Sequence, residues 1–434
     1  MNFFKRKFYN IFQKNLKIIQ NIGWLIFDKS LRLLLGVFIG IFMARIYGPS
    51  LLGEFNFVLA YVTFFSTIAT LGLDSILVRD FVKLPKLKNW YIGTSLTLRL
   101  LSGFSLYIIS IFLINILKPG EHTLQIYVII FASSLIFNSF DILDLWFQSQ
   151  VQSKYSVIAK LSCFVLFSVF RIYFLYIKSN ILTFVILALL EIILSSISLL
   201  FIYYFKYSNF PILKPNRSIA IKLTRESWPS IITGFAIIIY MKIDQIMISV
   251  LSSNKELGIY SVALRLSEIW YIIPTLIVSS IVPKLISLNL LSHNLFLERL
   301  KIILYYFTLT AYIIAIIMTF LSPYLINFIY GEDYIKAGPI LSIHIWSAIF
   351  VFIGVATSPW YTIQGLLKYS MYQTLIGAFI NIILNFFLIP KYGGLGASIS
   401  TVIAYAFGAF ILNACFKKTR VIFNLQLKSL CLIK

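Results

Sequence analysis

Charge and cysteine are both scarce in this 434-residue chain. Asp, Glu, Lys and Arg together make up 12% of it, about half their usual share in a soluble domain. The three cysteines, Cys163, Cys415 and Cys431, lie far apart and form no C-x-x-C pair, which supports neither a disulfide framework nor a thiolate zinc site. His122, His293 and His344 form no ligand cluster, so no metal is expected. No G-x-x-x-x-G-K-[ST] stretch is present, and ATP hydrolysis by this chain is not expected. G-x-S-x-G and H-E-x-x-H are missing too, and no connection offers a substantial loop of acidic or histidine residues. A membrane glycosyltransferase or polymerase remains the enzymatic alternative, but the expectation is a protein without catalytic residues or cofactor.

What the chain has in abundance is apolar length. Hydrophobic residues make up 60% of it and the mean hydropathy is +0.91, with runs of about 20 apolar residues recurring from end to end, as membrane spans require. Cutting at polar and Gly/Pro clusters predicts twelve transmembrane helices, at 22–44, 55–78, 91–117, 124–147, 156–177, 181–205, 227–250, 259–287, 302–322, 338–363, 369–389 and 395–416. On one side of that layout lie only Arg45, Lys118, Lys178, Lys255, Lys336 and Lys391, while most of the 37 basic residues lie on the other, with both termini. The more basic side is cytoplasmic by the positive-inside rule. The same bias and anionic headgroups explain the net charge of +22 without a nucleic-acid partner. Residues 1–21 read as a cytoplasmic amphipathic lead-in, 206–226 as a cytoplasmic linker and 417–434 as a basic cytoplasmic tail.

The linker separates two six-helix halves, 22–205 and 227–416, that resemble each other. LGEFNFVLA from Leu52 aligns with LGIYSVALR from Leu257, an offset of 205. An even number of spans per half makes the repeat parallel, and the expected fold is an all-α polytopic membrane protein whose pseudo-symmetric halves surround a central cavity. At the same offset, Ser261, Arg265, Glu268, Ile272, Thr275 and Ser279 match Asn56, Ala60, Thr63, Thr67, Thr70 and Asp74, each set with the three-and-four spacing of one helix face. Small polar residues commonly join neighbouring membrane helices. Arg265 and Glu268 ask for more, because ionised groups at that depth must face an interior or a water-filled cavity.

Other charges pose the same question. Asp28 and Arg32 are four apart and can pair on one helix face, whereas Arg99 and Arg171 have no acid three or four positions away. Their counter-charge must come from another helix or a ligand, unless Arg171 snorkels to the interface. Glu191 is either a proton carrier or the partner of Arg99 or Arg32. Lys242 and Asp244, two residues apart, do not share a helix face; Asp244 is expected to orient Lys242 or to pair with Arg265. Asp74, with Asp28, Glu191, Asp244 and Glu268, completes the acids that could couple to an ion or balance these cations.

The stretches NIGWLIFDKSLRLLLGVFIGIFMARIYGPSLLGEFNFVLAY, LGLDSILVR, YMKIDQIMIS, LGIYSVALRLSEIWYIIP, SSIVPKL and NFFLIPKYGGLGASIST together resemble the Wzx-type O-antigen and polysaccharide repeat-unit flippases of the MOP superfamily, in order and over almost the whole chain. The resemblance implies a bacterial inner-membrane protein that carries undecaprenyl-pyrophosphate-linked oligosaccharide to the outer leaflet by alternating access, driven by an ion gradient. A polysaccharide polymerase and a chain-length regulator are the protein partners it implies. Arg32, Arg99, Arg171, Lys242 and Arg265 would then be the cavity cations for the pyrophosphate, and Asn56, Thr63, Asp141, Trp270, Tyr271, Asn381 and Asn385 the groups facing sugar. A MATE-like small-molecule exporter and a flippase for another lipid-linked precursor are the alternatives.

Overall fold

The computed structural model describes residues 2–207 and 215–433; residues 208–214 of the expected linker, and the side chains of the expected lead-in up to residue 20, lie outside what is described. The chain is an all-α bundle. After α1 (Asn2–Ala69) and the short α2 (Asp74–Lys83) come α3 (Pro85–Leu117), α4 (His122–Ser149), α5 (Ser153–Tyr176), α6 (Ile181–Tyr207), α7 (Arg217–Leu251), α8 (Asn254–Val282), α9 (His293–Tyr330), α10 (Ala337–Ile363), α11 (Leu367–Tyr392) and α12 (Gly394–Cys415), each long and apolar enough to cross a membrane. A last helix, α13 (Arg420–Leu430), follows.

The expected break between the first two spans is only a kink. α1 continues through Gly48, whose φ of 69° is non-helical, and Pro49, which has no N–H to give the helical ladder. The expected second span, 55–78, is instead interrupted. Leu71 and Gly72 take positive φ of 54° and 59°, ending α1 at Ala69, and Asp74 opens α2. Thr70 and Asp74 therefore do not continue the stripe that starts at Asn56. Glycine is needed at 72 for a second reason, since a Cβ there would meet the Ile231 nitrogen at 2.7 Å.

The chain divides into two compact units, residues 1–46 with 61–235 and residues 47–60 with 236–434. In the first, Leu73, Leu77, Phe81, Trp146, Phe147 and Tyr203 anchor a buried apolar cluster where α2, α4 and α6 meet. In the second, the 205-residue repeat makes a reciprocal contact. A Cβ on Gly53 would overlap the Asn254 carbonyl, and a Cβ on Gly258 would overlap the carbonyl of Pro49. Both glycines and both carbonyl residues are 205 apart, so the two copies cross at matched positions, close enough that only glycine fits.

Large side chains such as Phe112, Phe320 and Phe387 stay exposed on the bundle surface, as expected of helices solvated by lipid. Many buried hydroxyls return to their own helix: Ser95 donates to Tyr91, Ser168 to Phe164 and Thr357 to Ile353. A side chain that bonds the carbonyl four residues back needs no outside partner in an apolar setting. The segment after α12 is ordered and packed. Ile422, Gln426 and Ser429 of α13 are buried, and Ser429 meets Thr308 of α9 at 3.2 Å.

Candidate functional site

The first unit carries a chain of ion pairs along its long helices. Arg32 on α1 donates from Nε to Asp28 Oδ1 at 2.8 Å, and its Nη1 lies 3.7 Å from Glu191 Oε1 on α6. Arg171 on α5 reaches the other Glu191 oxygen at 2.7 Å. Glu191 thus joins Arg32, as one expectation had it, to Arg171, which is part-buried and paired rather than extended to an interface. The Arg32 guanidinium lies over the Phe164 ring, 4.7 Å from its centroid, a face that favours a cation, and its side chain keeps 31% of its exposure.

Arg99, almost completely buried on α3, pairs with Asp74 at the start of α2. Its Nε has no hydrogen-bond partner. Asp141, expected to face sugar, is instead a counter-ion: Lys160 on α5 lies 2.8 Å from Asp141 and 2.9 Å from Asp144.

A further network escaped the sequence reading. Asp80 on α2 is 2% exposed and accepts from Arg79 at 2.8 Å and Lys222 at 2.7 Å. Lys222 also lies 3.0 Å from the Tyr91 hydroxyl, and Arg79 continues to Glu226. Burial alone would raise the Asp80 carboxyl, but the hydrogen bonds from Lys222 and Arg79 outweigh it and hold the group below the usual carboxylate range.

The second unit is built differently. Asp244, 2% exposed, receives the Tyr260 hydroxyl at 2.6 Å and has the Thr401 hydroxyl 3.1 Å from the same oxygen. Its hydrogen bonds come from hydroxyls on α8 and α12 rather than from either cation that the sequence suggested. Its other oxygen is buried with no hydrogen-bond partner. Lys242 points instead toward Glu268, at 4.0 Å, a loose contact beside the pairs of the first unit. Alternation along α7 separates the two neighbours, as the two-residue spacing required.

Several other polar groups of this unit are neutral. Asn385 donates to Asn381 at 3.0 Å, and both side chains are fully buried. They lie within the packed interior rather than on an accessible wall for sugar. Tyr271 meets Ser347 at 2.7 Å, and Trp270 keeps its indole N–H buried without a partner. Asn56 is buried, while Thr63, which belongs to the first unit, is exposed. Gln373 donates to Asn413 at 2.8 Å, Asn413 donates to Gln426 at 3.0 Å, and the Tyr361 hydroxyl lies 2.7 Å from Gln373. Beside this amide ladder is a cavity of about 600 Å³ whose wall includes Tyr240, Thr275, Ser279, Thr357, Tyr361 and Gln373.

Comparison with known proteins places this architecture. A family described as "Polysaccharide biosynthesis protein" matches residues 18–288, and a second, described as MatE, matches residues 229–387. An uncharacterized membrane protein of Methanocaldococcus jannaschii is 33% identical over 92 residues, which cover 21% of this chain and 18% of that protein. Among solved structures, the lipid II flippase MurJ in an inward closed conformation superposes with a TM-score of 0.74 at 21% identity, covering 94% of this chain and 91% of that one. An inward-facing multidrug resistance MATE family transporter gives 0.68 at 16% identity, covering 95% and 98%. A MOP superfamily transporter from Pyrococcus furiosus gives 0.64 at 14%, covering 96% of each. At these identities the structural likeness establishes the fold, and the match over residues 18–288 establishes the family. The chain belongs to the family described as polysaccharide biosynthesis protein.

Proposed function

We propose that this protein flips a polyprenyl-pyrophosphate-linked oligosaccharide from the cytoplasmic to the outer leaflet of a bacterial inner membrane, using twelve spans in two six-helix halves and alternating access. Both termini are cytoplasmic on this reading. A pyrophosphate cannot cross hydrocarbon unaided, whereas a polyprenyl tail can remain in lipid, so the transporter must offer cations at membrane depth and release them again. The observation that carries the proposal is Arg32. It sits on an apolar helix, remains part-exposed, and is held by one tight carboxylate at 2.8 Å and one loose one at 3.7 Å. Planar N–H donors suit phosphate oxygens, and the loose contact can be exchanged for a phosphate without leaving Glu191 unpaired, because Arg171 still holds it. Arg99, Arg171, Lys242 and Arg265 are the other cations assigned to this role.

Ion coupling falls to Asp244 on this reading. Among the five acids singled out by sequence, Asp28, Asp74, Glu191 and Glu268 each contact a cation. Asp244 is held by hydroxyls and keeps one buried oxygen open, where a small cation or a proton could come and go.

Reconstituted protein should translocate a fluorescent polyprenyl-pyrophosphate glycan. Arg32→Gln should lower that rate about tenfold or more while the protein still inserts, and Arg32→Lys should recover only part of it. Full activity in the Gln variant at ordinary expression would overturn the proposal. A small-molecule exporter is the second reading, favoured by the MatE match over residues 229–387. Proton- or sodium-driven efflux of an uncharged dye, with no glycolipid translocation, would select it.

A further inference from the structure

The cavity of the second unit has a chemistry unlike that of the arginines. Its volume, about 600 Å³, falls in the range of small-molecule sites. No charged side chain lines it among the described residues; the polar groups of its wall are hydroxyls and one amide. Most of those hydroxyls have already committed their protons. Thr275 donates to the Tyr271 carbonyl at 2.9 Å, Ser279 to Leu276 at 2.8 Å, Thr357 to Ile353 at 3.0 Å and Thr374 to Ser370 at 3.0 Å. Tyr361 gives its proton to the Gln373 and Asn413 oxygens, and the Gln373 amide donates to Asn413. A hydroxyl has one proton and two lone pairs, so what these hydroxyls still offer a guest is acceptors.

This pattern selects among ligands. A phosphate or carboxylate brings acceptors and negative charge, and would meet lone pairs with no compensating cation, a combination that binding disfavours. A purely apolar guest would leave the same oxygens without donors. An uncharged sugar brings several O–H donors together with C–H faces, and the wall matches both: Tyr240 presents an aromatic side chain, fixed by stacking on Tyr405 with centroids 4.4 Å apart, and Ile237, Val278 and Val355 complete the apolar surface. We infer that this cavity binds uncharged sugar residues, which makes it a specificity site separate from the cations that take the pyrophosphate. The inference rests on the glycolipid reading above and adds to it that glycans are chosen for neutrality at this position.

The test uses the full chain in lipid nanodiscs and equilibrium binding of farnesyl pyrophosphate, alone or carrying an N-acetylglucosamine disaccharide, a glucuronic acid or a cyclohexyl group. The disaccharide should tighten binding about tenfold, equivalent to one or two good neutral hydrogen bonds, and glucuronate and cyclohexyl should not. Ser358→Trp, which projects into the cavity wall, should abolish the gain while leaving farnesyl pyrophosphate affinity within about twofold of wild type. Because a bulky insertion can disturb the helices, Ser279→Ala combined with Thr374→Val provides a second variant that removes two acceptors and adds no volume. Equal binding of bare and disaccharide lipids overturns the inference and leaves the pyrophosphate reading standing, as does an equal gain from glucuronate or cyclohexyl. Conversely, failure to bind the bare lipid overturns the pyrophosphate reading, while a disaccharide gain lost in both variants still upholds the cavity.

Discussion

The two compact units solve the same problem, polar groups inside an apolar bundle, by opposite means. In the first, cations and carboxylates pair: Arg32 with Asp28 and Glu191, Arg171 with Glu191, Lys160 with Asp141 and Asp144, and Lys222 with Asp80. The second also sets neutral groups against one another, Tyr361 with Gln373 and Asn413 and Asn385 with Asn381, and Lys242 lies 4.0 Å from Glu268, a loose contact. Paired charges in low dielectric are stable together and costly apart. Neutral hydroxyls and amides can change partners at smaller expense. The contrast therefore separates a unit whose charges hold it together and can answer a phosphate from one whose polar groups can be rearranged around an uncharged guest.

The strongest way to break the contrast is to remove the acid on which two arginines converge. Glu191→Gln keeps the shape of the side chain but leaves Arg171 and one side of Arg32 without their counter-charge. Breaking a fully buried pair on one side costs about 3–5 kcal/mol, and these part-buried groups should lose a part of that. Thermal unfolding in detergent should show a drop of several degrees or a loss of folded protein. An unchanged midpoint would mean that these pairs are screened by water and that the first unit is not held by charge.

The same kind of change in the second unit should weigh less. Asn413 accepts from Tyr361 and Gln373 and donates to Ala409 and Gln426, so Asn413→Ala strands several neutral groups. The expected loss is about 1–3 kcal/mol, measured against Glu191→Gln in the same unfolding assay. A larger loss than that of Glu191→Gln would reverse the comparison.

The helices could be read from the chain, the division of charge between the units could not, and the failures share a cause. Apolar length gave the helices, and the lack of any acid at three or four positions from Arg99 and Arg171 correctly required partners on other elements. The 205-residue repeat located Gly53 and Gly258, although their mutual contact needed coordinates. The end of α1 was not legible, because Leu71-Gly72-Leu73 continues an apolar run and only the backbone conformation at Leu71 and Gly72 breaks it. Asp244 was assigned a cation from its neighbours in sequence, whereas Thr401, 157 positions away, carries no charge to advertise itself. Asp141 was read as facing sugar and not as a partner of Lys160, since the 18 residues between them hide the return of α5 alongside α4. Pairing across helices is set by packing, which a one-dimensional pattern records only for residues three or four apart.

Asp244 sharpens the comparison by function rather than stability. Asp244→Asn retains a group that can accept from Tyr260 and Thr401 but removes the charge. Its principal effect should be on the dependence of transport on the ion gradient, with the gradient-driven rate falling about tenfold, near 1.4 kcal/mol of driving interaction, and the unfolding midpoint moving little. A variant that still accelerates with the gradient would transfer coupling to one of the paired acids, and the neutral character of the second unit would lose its functional meaning.

The smallest effect belongs to the network around Asp80, and its sign is fixed. The carboxyl is held below its ordinary value in the folded protein, burial being outweighed by the hydrogen bonds from Lys222 and Arg79. The folded state therefore binds fewer protons than the unfolded one near that range, and stability rises with pH there. The contribution is complete above the unfolded carboxylate pKa, about 3.9, and is lost as pH falls through the folded value. Because Lys222 and Arg79 are substantially exposed, with side chains at 40% and 42%, solvent screens the pairs and their effect should be a fraction of that at Glu191. Unfolding followed from pH 6 down to pH 3 should show a shallower loss in Asp80→Asn than in wild type, with the two curves converging at the acid end once Asp80 is protonated in both states. Parallel curves over that interval would show that Asp80 contributes packing and no charge, and would leave the ion-paired character of the first unit resting on its membrane-embedded arginines alone.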